Sequence, residues 1–78
     1  MDEKYLIRYW FYNNEENKYC INIEYFETQE SAEDKYDNML VTNDIPHIEL
    51  LKDVYKNEKL LYQFLLMVKN SEGETLFK

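Results

Sequence analysis

The chain has 78 residues, 45% hydrophobic and 17% aromatic, and 16 Asp and Glu against 9 Lys and Arg give it a formal charge of −7. That length excludes two separate cores, the aromatic content excludes a disordered chain, and the charge argues against direct nucleic-acid binding, which needs clustered cations. The acidity is uneven: residues 1–46 hold 11 acids and 4 bases, whereas residues 47–78 hold 5 of each.

Tyr5 to Tyr12 are rich in aromatic and β-branched residues, and with Lys18 to Glu27 they flank the turn-forming stretch Asn13 to Asn17. This pattern predicts a β-hairpin. In its first strand Tyr5, Ile7, Tyr9 and Phe11 share one side, and Leu6, Arg8, Trp10 and Tyr12 the other. In the second strand Tyr19, Ile21, Ile23 and Tyr25 oppose Cys20, Asn22, Glu24 and Phe26.

Thr28 is a natural N-cap, because its hydroxyl can accept from the free amides two or three residues on, and acids follow in the first turn. The expected helix runs to about Leu40 or Val41, with Ala32, Tyr36, Met39 and Leu40 as its buried stripe. Pro46 biases Ile45 toward extended geometry and closes the segment.

Beyond His47 the Leu-rich sequence satisfies both periods. Two strands, His47 to Lys56 and Lys59 to Lys69 around Asn57-Glu58, are the preferred expectation, and two helices the alternative. The predicted fold is α+β: a ββαββ chain whose four-stranded antiparallel sheet has the order 2-1-3-4, with one helix packed on one face. Residues 1–70 form the single domain, and residues 71–78 are expected to be a flexible tail.

Chemistry-bearing residues are sparse. Cys20 and His47 are the only cysteine and histidine, so neither an internal disulfide nor a pair of strong metal ligands can form. A catalytic pairing of these two has no sequence cue for activation, and a lone strand cysteine is usually a small buried hydrophobe. Gly73 is the only glycine, which leaves no phosphate-cradling loop. Asp34 with Asp37, or Asn13 to Asn17, suit at most incidental cation binding. We expect no enzyme, no cofactor and no metal. The N-terminal residues lack a signal-peptide pattern, and no apolar run approaches a membrane span; a cytoplasmic protein is expected, in the host cytoplasm if the chain is phage-encoded.

Two surfaces are candidates for partner binding. Glu24, Glu27, Glu30, Glu33, Asp34 and Asp37 fall within fourteen residues, relieved only by Lys35. At 100° per residue the four helical acids lie opposite Ala32, Tyr36 and Met39, in a stripe about 10 Å long. A solvated, solubilising face is the plain explanation. Yet Glu30 with Asp34 and Glu33 with Asp37 are like-charge i, i+4 pairs, each costing about 0.2–0.5 kcal/mol. Carboxylates repeating on successive turns can instead stand in for phosphates before a basic channel. The second surface is aromatic: one helix cannot cover both faces of a four-stranded sheet, so residues such as Trp10 and Tyr12 are expected to serve as interface anchors. Stacking of single-stranded RNA on such a face is disfavoured by the negative charge.

The run YFETQESAEDKYDNML, followed by IELLKDVYKNEKLLYQF, resembles small acidic proteins carried by phages and mobile elements of Gram-positive bacteria, a class that includes anti-CRISPR inhibitors. The resemblance implies a non-enzymatic inhibitor whose acidic surface mimics nucleic acid and blocks a host nucleic-acid-binding protein, such as a CRISPR nuclease. The alternative expectation is a structural or regulatory homo-oligomer, a sheet-paired dimer with no mimicry.

Overall fold

The computed structural model describes residues 1–77. Five strands and one helix follow in the order β1 (Asp2–Asn13), β2 (Lys18–Phe26), α1 (Gln29–Asn38), β3 (His47–Lys56), β4 (Lys59–Asn70) and β5 (Gly73–Leu76). The sheet is antiparallel throughout, in the order β2-β1-β3-β4-β5. The α+β class, the single helix and the strand order 2-1-3-4 match the sequence expectation, and the choice between strands and helices after His47 falls to strands.

The two hairpins are set by their turns. Asn13 Oδ1 accepts from the amides of Glu15 and Glu16, at 2.9 and 3.3 Å, and Asn17 takes a left-handed φ of 53°. Asparagine tolerates both roles better than most residues. Between β3 and β4, Asn57 and Glu58 have φ of 53° and 66°, the consecutive positive values that a tight two-residue hairpin requires.

Helix α1 begins where the sequence places it. Thr28 is extended, and its hydroxyl accepts from the Ser31 amide. The helix ends earlier than expected, with Met39 as C-cap. Leu40 therefore falls outside it and is 74% exposed, so it does not belong to the buried stripe. Ala32 and Tyr36 are fully buried and Met39 packs against them. Thr42 and Ile45 close a turn on each other before Pro46, and the Tyr12 amide donates to Asp44 O at 2.8 Å, tying this connection to β1.

The core lies between α1 and one face of the sheet. Ile7, Ile48 and Leu50 meet Ala32 and Tyr36, surrounded by Tyr5, Tyr9, Phe26, Met39, Val41, Ile45, Leu66 and Met67. Leu50 pairs with Met67 and Leu51 with Leu65, so Leu66 is an extra residue in β4, a bulge of the kind that bends a strand and increases its twist. It lets Leu66 and Met67 both reach the helix side.

The segment expected as a flexible tail instead forms β5, a fifth strand on β4. The Phe77 amide extends the attachment by donating to Leu66 O at 2.8 Å. Lys78, the last residue of the expected tail, lies outside the described residues.

Candidate partner-binding surfaces

Strand alternation and register assign every sheet side chain to the helix side or to the opposite, open side. Ile7, Tyr9 and Leu50 fix the helix side. Their antiparallel partners Glu24 and Asn22 share it, with Cys20 opposite Phe11. The other register carries Leu6, Arg8, Trp10 and Tyr12 of β1, Tyr25, Ile23, Ile21 and Tyr19 of β2, and His47, Glu49, Leu51, Asp53 and Tyr55 of β3. Among the described residues α1 packs only on the first side, yet the centre of the open side is itself buried, Leu6 and Leu51 being 1 and 2% exposed.

On the helix side, Glu30, Asp34 and Asp37 are exposed and Glu33 is half-buried, with Glu33 Oε1 accepting from Gln29 Nε2 at 2.8 Å. Glu24 and Glu27 are also exposed. Among the described residues, none of these six carboxylates forms a salt bridge. Their placement does not maximise helix stability. Glu30 in the first turn favours the positive end of the helix dipole, but Asp37, in the last turn, opposes the negative end.

Trp10 and Tyr12 do not join the acids. They lie on the open side, where the Trp10 ring meets the His47 ring edge-on at 4.6 Å and Tyr12 meets Tyr19 at 5.2 Å. The residues considered together from sequence thus divide, with Glu24 and the acids of α1 on one side of the sheet and Trp10 and Tyr12 on the other. Cys20 and His47 are separated in the same way. Cys20 sits on the helix side of edge strand β2, its Sγ 3.8 Å from Glu16 Oε2, while His47 is on the open side of β3.

The open side carries polar residues that sequence reading did not single out. Glu49 is 7% exposed and Asp53 2% exposed. Arg8 Nε donates to Glu49 Oε1 at 2.6 Å, directly across the β1–β3 pair, and His47 Nε2 is 3.5 Å from Glu49 Oε2. Asp53 accepts from Gln63 Nε2 at 2.8 Å and from the Tyr55 hydroxyl at 3.2 Å. Burial and this bond to Asp53 hold the Tyr55 hydroxyl above its ordinary pKa. The spacing of Glu49, Leu51 and Asp53 on one strand face was the available signal, but their partners on β1 and β4 emerge only from the register.

Beside this polar centre runs an apolar row on β2: Tyr19, Ile21, Ile23 and Tyr25, exposed by 52, 55, 47 and 55%. On the helix side, Tyr36 presents a different irregularity. Its hydroxyl is buried with no hydrogen-bond partner among the described residues, and burial first, then the nearby Glu74 carboxylate, push its pKa well above the usual tyrosine value. Lys69 Nζ lies 4.3 Å from the Tyr36 ring centroid and donates to the Tyr36 carbonyl at 2.6 Å, locking β4 to α1.

No helix is long and apolar enough to cross a membrane, and among the described residues no group of three His, Cys, Asp or Glu side chains is placed to hold a metal ion. Compared with known proteins, the chain matches no family model, no curated protein and no solved structure.

Proposed function

We propose that this chain is a non-enzymatic binding protein that presents the acidic side of α1, with Glu24 and Glu27, to a basic surface that otherwise handles nucleic acid. The observation that carries this is the set of six carboxylates on α1, β2 and the connection between them without a salt-bridge partner among the described residues. An anionic surface left unneutralised attracts a cationic partner from a distance, and strengthens specificity and association rate more than affinity. Occupation of a phosphate-binding channel makes the protein an inhibitor, in the manner of the phage-borne class it resembles, with a nuclease of the host as a fitting target.

The test compares the immobilised chain with a variant carrying Glu30→Lys, Glu33→Lys, Asp34→Lys and Asp37→Lys, each exposed to host-cell lysate and eluted in a salt gradient. The expected result is a basic, nucleic-acid-binding protein retained by the unaltered chain, released by added duplex DNA and by salt, and lost with the variant. Equal retention and equal salt sensitivity by both chains would sink the proposal.

A further inference from the structure

The open side of the sheet is unlike the rest of the molecule in its charge. Its β2 row carries no Asp, Glu, Lys or Arg, and its charged strand residues are Asp2, Lys4, Arg8, Glu49 and Asp53, close to electrical balance in a chain of −7. Arg8 and Glu49 already satisfy each other, and Asp53 accepts from two donors within its own sheet. Covering the centre of this side therefore strands none of these three charges, the cost that usually opposes burial of ionic groups, while Asp2 and Lys4 lie toward its end, where β1 begins. The acids that would repel another copy of the chain lie mainly elsewhere, five of them, Glu24 and the four of α1, on the helix side.

From these features we infer that the open side is a self-complementary interface, and that its occupant is a second copy of this chain placed sheet against sheet. Four strands spaced about 4.8 Å, each about nine residues of ~3.3 Å rise, have a footprint of roughly 600 Å². Leu6, Glu49, Leu51 and Asp53 within it are already buried, so the contact draws on the exposed rows that flank them and is a small one beside the ~800 Å² per partner of a standard interface. A two-fold axis sets the same patch on both chains, and two aligned sheets pack with interdigitating side chains about 10 Å apart. The row Tyr19, Ile21, Ile23 and Tyr25 on edge strand β2, half-exposed in one chain, supplies the main apolar contact of that layer, with Trp10 beside Ile21 in the register. A strongly basic or acidic partner is a poorer fit to this face because its charges are few and nearly balanced. The helices of the two copies then point away from one another, leaving both acidic faces free.

Sedimentation of the full chain at low and high micromolar concentration tests the inference. The expected mass is twice 9.7 kDa, halved in a variant carrying Ile21→Lys and Ile23→Lys and unchanged by Tyr62→Lys, which alters an exposed residue on the helix side. Should the double-lysine variant fail to fold, Trp10 emission of the unaltered chain decides: a shift to shorter wavelength with rising concentration supports the dimer, and an invariant spectrum opposes it. A single-chain mass at every concentration overturns the inference and leaves the row to a different partner. So does a dimer that survives both lysines, which places the contact elsewhere, such as at the free edge of β2.

Discussion

Replacing Tyr36 by Phe removes one oxygen from the centre of the molecule and tests how the core tolerates it. The Tyr36 hydroxyl is buried without a hydrogen-bond partner among the described residues, and an unsatisfied buried donor costs about 1–3 kcal/mol. The ring keeps its place between Ala32, Ile7 and Leu50 and its contact with Lys69. The variant is therefore expected to gain about 1 kcal/mol, which in a domain of this size raises Tm by roughly 4–8 °C. A second signature appears in alkali. A folded-state pKa held above the unfolded value near 10.0 means that, above that pH, the folded chain binds more protons than the unfolded one. This contribution to stability is whole below pH ~10 and is lost as pH rises further, by at most about 1.4 kcal/mol per pH unit. Tyr36→Phe abolishes that component, so its urea midpoint declines less steeply than that of the unaltered chain above pH ~10. Urea titrations at neutral and alkaline pH give both quantities. A variant destabilised by 1 kcal/mol or more would show that the hydroxyl is bonded, with Glu74 as its partner, and would refute the reasoning.

Truncating Arg8 to Met leaves the nearly buried Glu49 with only His47 nearby, and is expected to cost about 3–5 kcal/mol. Arg8→Met with Glu49→Leu recovers most of that loss in a double-mutant cycle read by urea unfolding; equal loss in the single and double variants would show the pair is not coupled. Thr28→Ala removes the hydroxyl that caps α1 and should lower stability by about 1 kcal/mol, with Thr28→Ser restoring most of it. Identical midpoints for the three chains would show that the cap contributes nothing.

Where local chemistry decides the structure, it was legible in sequence. Asn13 to Asn17 mark one turn, Thr28 marks the helix start, and Pro46 marks the end of the connection. Where neighbouring strands decide it, legibility failed. The short Asn57-Glu58 spacing made a hairpin the preferred expectation, as observed, but Glu58 gives no sign of its positive φ and the Leu-rich halves around it fitted either period. Strand β5 has little apolar pattern of its own; it exists because β4 offers a free edge to pair with. The acidic surface was readable because it follows from helix periodicity alone. Which side of the sheet holds Trp10 and Tyr12 was not, since β1 is apolar on both sides and only the docking of α1 distinguishes them. Leu40 was assigned to the core by spacing, but an earlier C-cap releases the chain before the spacing applies.

Strand β1 sits at the junction of two kinds of pairing. With β2 it closes a hairpin across a four-residue turn, residues 14–17, whereas its partners in β3 lie 37 to 53 residues away along the chain. The loop entropy of the whole molecule is thus concentrated at one seam. Each hairpin can collapse on local contacts, but the core residues Ile7, Ile48 and Leu50 come from both sides of that seam and cannot assemble until it zips. Folding speed is consequently governed by the meeting of two preformed halves, with α1 as the tether that keeps them within reach.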